Sequence, residues 1–219
     1  MKLSAVLAAL SLGALSWISP AWASNIFDDV PDQIDASKRY IFYLHGSAEE
    51  EEGSTEKYEA AVEAIAGGKN IVISEVRGDT DPNQYAQTIK SQVEKLQQAG
   101  VAKRDITVTG FSKGAIIALA AAGEIQDPEM KYVLLAGCSE ELNTKYSVDP
   151  AKARGRILAI YDKGDTKFGS CKGIIGKTDD VTLKEKKLNS GKGHALFRIP
   201  KDKFIGQWRD PLVSWAKKK

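Results

Sequence analysis

The stretch that most constrains this chain is ITVTGFSKGAIIALAAAG, residues 106–123. A run of β-branched residues stops at Gly110, Ser112 sits between Gly110 and Gly114, and an alanine-rich helical run follows at once. A strand that turns into a helix over one serine hemmed in by glycines fits a strand–turn–helix unit of a layered α/β protein.

The rest of the chain repeats that unit. Short apolar runs rich in strand formers occur at 40–44 (YIFYL), 70–76 (NIVISEV), 105–109 (DITVT), 132–136 (YVLLA) and 156–161 (RILAIY), with a further strand expected at 181–188. Several are nearly continuous in apolar residues, as strands covered on both faces are. Helical patterns lie between them. One runs over 54–66, opening at Ser54-Thr55 and stopping at Gly67-Gly68. A second, 82–99, carries Tyr85, Ile89, Val93 and Leu96 at spacings of three and four and ends at Gly100. The third is the alanine-rich run 113–122, and the last is expected over 211–217, or from near Phe204. The alternation predicts a doubly wound, mostly parallel sheet with helices on both faces, whose functional groups gather at the carboxyl ends of the strands.

The first residues are set aside. Met1-Lys2 opens a short apolar run broken by Pro20, and Ala21-Trp22-Ala23 supplies the small residues of a cleavage site. This reads as a secretory signal peptide over 1–23, too short for a comfortable membrane span. Residues 24–219 then suit a single domain, exported to the periplasm or secreted, with no stable membrane insertion. A formal charge of +2 gives no support for nucleic-acid binding. The two cysteines, Cys138 and Cys171, would both lie in loops after strands, and in an exported chain they are expected to form a disulfide; two buried free thiols are the alternative.

Gly110-Phe111-Ser112-Lys113-Gly114 fits G-x-S-x-G, and its setting between strand and helix fits a nucleophile elbow. Small residues let helix and strand approach, the hydroxyl is left exposed, and the Lys113 N–H at the helix start points toward an oxyanion. Through this motif and the order of elements from Tyr40 to Trp215, the chain resembles the α/β-hydrolase superfamily, as a small, lidless, serine-esterase-like member. The resemblance implies a Ser–acid–His triad in that chain order.

There are two histidines, His45 and His194. His194, in Gly191-Lys192-Gly193-His194 after the last expected strand, stands where such hydrolases carry the base that activates the serine. The acid should follow the strand at 156–161, where both Asp162 and Asp165 are available; the resemblance favours Asp165, with Asp162 capping or shaping the turn. His45-Gly46-Ser47-Ala48 looks like the superfamily's oxyanion loop, with the Ser47 or Ala48 N–H as second donor and His45 as a structural residue. Val76-Arg77-Gly78 resembles the superfamily's arginine–glycine turn.

Two features depart from the pattern. Lys113 directly after the serine is unusual, and its side chain would raise the local potential or point to solvent. Glu49 to Glu52 is a four-carboxylate run beside the oxyanion loop; it could repel anionic substrates, though a solvated loop is the plainer reading. The segment 137–155 is too short for a lid, so an open site is expected. The expected function is an exported serine carboxylesterase acting on a small ester-type substrate, with no metal or cofactor. The alternatives are a thioesterase or peptidase of the same fold, or a non-catalytic binding protein built on the scaffold.

Overall fold

A computed structural model describes residues 25–176 and 178–218. The expected leader, 1–23, lies outside the described residues. In chain order the main elements are β1 (Ile26–Phe27), β2 (Arg39–Leu44), α1 (Ser47–Glu52), α2 (Glu56–Ile65), β3 (Asn70–Ile73), α3 (Pro82–Gln98), β4 (Ile106–Phe111) and α4 (Lys113–Ile125). There follow β5 (Lys131–Leu135), α5 (Glu140–Lys145), β6 (Gly155–Asp162), β7 (Val181–Leu188) and α6 (Asp202–Lys217). The strands form one sheet in the order β1-β3-β2-β4-β5-β6-β7, and every neighbouring pair is parallel.

The period of two along β2 sorts its side chains between two cores. Tyr40, Phe42 and Leu44 face a layer made by α3 and α4, where Ile89, Val93, Leu96 and Ile116 are buried. Ile41 and Tyr43 face the opposite layer, where Tyr58 and Val62 of α2 meet Trp208, Leu212 and Trp215 of α6. Helix starts are fixed by their caps: the Thr55 side chain accepts from the Tyr58 N–H, and Asp81 accepts from Asn83 and Gln84 ahead of Pro82.

The chain leaves β2 toward β3 on one side and, from β4 onward, winds to the other. The carboxyl ends of β2 and β4, paired at Leu44 and Gly110, therefore flank the point where the winding reverses. Between β5 and β6 the chain has room only for α5 and a 3-10 turn at Pro150–Lys152, so among the described residues no cap domain covers this crevice.

Several boundaries differ from the sequence-based expectation. β3 stops at Ile73 because the Ser74 hydroxyl turns to the Tyr43 carbonyl, 2.6 Å away. β4 runs on through Gly110-Phe111 to the elbow. α4 continues to Ile125, with Gln126 in the left-handed conformation as its cap. α6 begins at Asp202 and passes through Pro211, because burial of Ile205, Trp208, Leu212 and Trp215 along one face outweighs the lost N–H. The four-glutamate run is no solvated loop: it forms most of α1, with Glu49 and the Glu50 side chain buried.

Candidate active site

Ser112 follows β4 and immediately precedes α4, with φ 54° and ψ −120°. A non-glycine residue there is strained, and such strain persists only where the surroundings enforce it. The enforcement comes from close approach on both sides of the turn. A Cβ on Gly110 would come within 2.1 Å of the Gly114 carbonyl oxygen, and one on Gly114 within 2.0 Å of the Leu44 carbonyl oxygen. The Ser112 N–H is taken by the Leu135 carbonyl at 3.0 Å, and its carbonyl accepts from Ala115 at 2.9 Å. The side chain makes no helix-capping bond and stays free for other use.

Residues 162–168 and 189–195 converge on that hydroxyl. His194 Nε2 lies 3.1 Å from Ser112 Oγ, and His194 Nδ1 lies 2.7 Å from Asp165 Oδ2. With Nδ1–H donating to the carboxylate, Nε2 is left as the acceptor for the serine proton. Asp165 is held in turn, because its Oδ1 accepts from the Lys167 and Phe168 N–H groups at 3.1 Å each. Phe168 stacks on the imidazole at 4.3 Å between centroids, and Phe111 approaches it at 4.8 Å. These two rings were not singled out from sequence, although Phe111 stands inside the G-x-S-x-G motif itself.

Asp162 is fully buried and does another job. It accepts from the N–H groups of Gly164 (2.9 Å), Ser190 (2.7 Å) and Gly193 (3.1 Å), stapling the Asp165 turn to the His194 loop. Burial pushes its carboxyl up, but the N–H groups of Ser190, Gly164 and Gly193 outweigh that and hold it below the ordinary aspartate value. Gly193, at φ 54°, lets the His194 loop come this close to the Asp165 turn.

The second side of the crevice is the turn after β2. A Cβ on Gly46 would stand 3.4 Å from Ser112 Cβ, so the Gly46-Ser47 backbone passes directly beside the serine. Ser47 and Ala48 open α1, and Lys113 opens α4. N–H groups at such positions have no intrahelical acceptor. His45 is buried with both ring nitrogens occupied: Nε2 accepts from the Arg77 N–H at 2.9 Å and Nδ1 bonds the Gly46 carbonyl at 2.8 Å. Burial, with Arg77 nearby, lowers it to about 4, so it is a neutral structural group.

Lys113 does not point to solvent. Its ammonium is buried between Glu50 and Asp79, 2.8 Å from each. Burial alone would lower its pKa; the bonds to Asp79 and Glu50 reverse that and raise it. Glu49 and Glu52 pair with Arg198, so three of the four glutamates have a cationic partner, while Glu51 stays exposed. Cys138 and Cys171 form a disulfide, with Cα atoms 5.1 Å apart, that ties the segment after β5 to the Asp165 loop. Among the described residues no cluster of three or more His, Cys, Asp or Glu could hold a metal ion, and no helix is long and apolar enough to cross a membrane. A cleft of about 540 Å³ lies along Gly164–Phe168 and Gly191–Ala195, on the flank of His194.

An all-parallel sheet, a strained serine between β4 and α4, and no cap define the α/β-hydrolase fold in a minimal, lidless form. Comparison agrees. The phospholipase/carboxylesterase family matches residues 74–161. Arabidopsis thaliana SOBER1 superposes with a TM-score of 0.54 at 13% identity, covering 82% of this chain and 98% of its own. A lipase-esterase related protein from Clostridium acetobutylicum gives a TM-score of 0.55 at 13% identity, covering 83% and 96%. The RedJ thioesterase of Streptomyces coelicolor gives 0.53 at 10% identity, covering 91% and 98%. Among curated proteins no match was found.

Proposed function

We propose that the protein is an exported serine hydrolase that cleaves small carboxylic esters through an acyl-enzyme on Ser112. The observation that carries this reading is the unbroken hydrogen-bond chain from Asp165 through His194 to Ser112. In the proposed cycle Ser112 Oγ adds to the ester carbonyl carbon while His194 Nε2 takes the hydroxyl proton. The oxyanion is met by the N–H of Lys113 and that of Ser47 or Ala48. The imidazolium returns its proton to the leaving oxygen, the C–O bond breaks, and water repeats the sequence to free the acid. Asp165 keeps the imidazole in the competent tautomer throughout. The disulfide supports export, since such bonds persist in oxidising compartments.

The match to a phospholipase/carboxylesterase family favours esters. The thioesterase among the structural neighbours supports a thioester as the second choice, because its carbonyl presents the same electrophile to the same groups. The test is labelling of the folded protein by a fluorophosphonate probe. Wild type should label and Ser112→Ala should not; an unlabelled wild type would instead favour a binding protein on this scaffold. A matched panel of esters and thioesters then ranks the two substrates by kcat/KM.

A further inference from the structure

Four charged side chains from three separate segments meet beneath the turn after β2. Glu50 lies in α1, a few residues beyond Ser47 and Ala48. Its Oε1 is 3.2 Å from Arg77 Nη2 and its Oε2 is 2.8 Å from Lys113 Nζ, with the side chains of all three residues 3–4% exposed. Asp79 closes the set from the surface, 2.8 Å from Lys113 Nζ. Arg77 also grips the start of the same turn: its N–H donates to His45 Nε2 at 2.9 Å and its Nη2 to the His45 carbonyl.

Buried ion pairs are weak contributors to stability, since desolvation offsets most of the attraction and apolar residues of equal volume serve as well. What this one does is connect two particular places. Lys113 carries one oxyanion donor on its backbone, and Glu50 sits on the short helix that carries the other. A contact between these two side chains fixes the separation of the two donors.

We propose that Lys113 and Glu50, braced by Arg77, are positioning residues that hold the two oxyanion donors at the spacing the tetrahedral intermediate needs. The inference rests on the hydrolase reading above. The departure from the usual uncharged residue after the serine then has a physical cause. α1 is only six residues long and acidic at its C-terminal end, so it has little to hold it in place by itself. Arg198 holds α1 through Glu49 and Glu52, and the tether to the first residue of α4 adds the constraint that bears on the second donor.

The test replaces Lys113 by Met, which keeps the backbone N–H and most of the side-chain volume, and measures hydrolysis of p-nitrophenyl acetate with binding of a phenylboronic acid, whose tetrahedral adduct occupies the oxyanion site. Misplacing one donor should lower kcat by about 10–100-fold, short of the 10²–10³-fold that losing it outright costs. KM should stay within about twofold, boronate affinity should fall in parallel with kcat, and Lys113→Arg should recover most of both. Glu50→Gln, which keeps shape and loses charge, should show the same split and serves if Lys113→Met does not fold. A folded Lys113→Met with kcat within threefold of wild type overturns the clamp alone. So does a loss of kcat with boronate affinity unchanged. A wild type that neither turns over the ester nor labels with the fluorophosphonate overturns the hydrolase reading and the clamp with it.

Discussion

Asp162 and Asp165 stand three residues apart in one turn, yet the structure gives them opposite tasks, and replacing each by asparagine should separate those tasks cleanly. Asp162 Oδ1 accepts from Gly164 and Gly193, and Oδ2 accepts from Ser190. An asparagine amide can keep its oxygen where Oδ1 is, but then its NH₂ faces the Ser190 N–H, donor against donor, at 2.7 Å. Turning the amide over saves that bond and loses the other two. Either way at least one N–H is orphaned, the part-buried one of Ser190 or the buried one of Gly193, and the charge behind the remaining bonds is gone. An orphaned buried donor costs about 1–3 kcal/mol, and bonds to a charged group are worth about 1.5–3 kcal/mol each. A loss of roughly 2–4 kcal/mol follows, or about 5–15 °C in melting temperature for a domain of this size. Asp165→Asn should behave in reverse. Its oxygen can still accept from Lys167 and Phe168, so the melting temperature should move by no more than about 2 °C. Its NH₂ would face His194 Nδ1, however, and force the tautomer in which Nε2 carries a proton and cannot take one from Ser112; turnover should fall by about 10⁴. Thermal unfolding by circular dichroism and hydrolysis of p-nitrophenyl acetate, run on both variants, read the two effects. A crippled, fully stable Asp162→Asn beside a near-silent Asp165→Asn would reverse the assignment.

Gly114→Ala should be among the most damaging single substitutions, because its methyl would meet backbone at the Leu44 carbonyl and no flexible side chain can yield; soluble yield and melting temperature measure it, and a near-wild-type protein refutes the close approach. Replacing both Cys138 and Cys171 by Ala should cost about 3–4 kcal/mol, the loop entropy of a 33-residue closure, in urea unfolding; no change in midpoint would mean that the bridge constrains little. His45, lowered to about 4 by burial and Arg77, is held neutral in the folded state. Its contribution is therefore present above the unfolded value near 6.5 and lost as pH falls through about 4. His45→Gln, which cannot be protonated, should flatten the pH dependence of urea stability over that window.

Ser112, His194 and the turn after β2 could be singled out because each is announced locally. A glycine two residues to either side of Ser112 records how near α4 and β2 must come, and a chain with two histidines leaves little choice of base. The doubly wound, parallel class of the sheet followed from alternation and apolar runs, while strand order, register and element ends did not. β3 ends where the Ser74 hydroxyl finds the Tyr43 carbonyl, and α6 runs past Pro211 because four large side chains on one face hold it down. Both are tertiary contacts that override local preference. β1 was missed for a similar reason: two residues carry no pattern, and only their pairing with Val72 and Ile73 makes them a strand.

The charges were the least legible part, and the reason is geometric. Four glutamates in a row suggest a face turned to water, because nothing nearby in sequence could neutralise them. Their partners are Arg77, Lys113 and Arg198, the last separated from Glu49 by 149 residues. A cation buried directly after Ser112 is equally hard to interpret in isolation, since lysine is seldom fully buried unless paired. Each sign is uninformative alone; only the fold, by placing α1 over the start of α4, makes them a pair. The glycines of the elbow say how closely two segments approach. The charges say which segments are tied once they have done so, and that knowledge resides in the sheet order rather than in any stretch of residues.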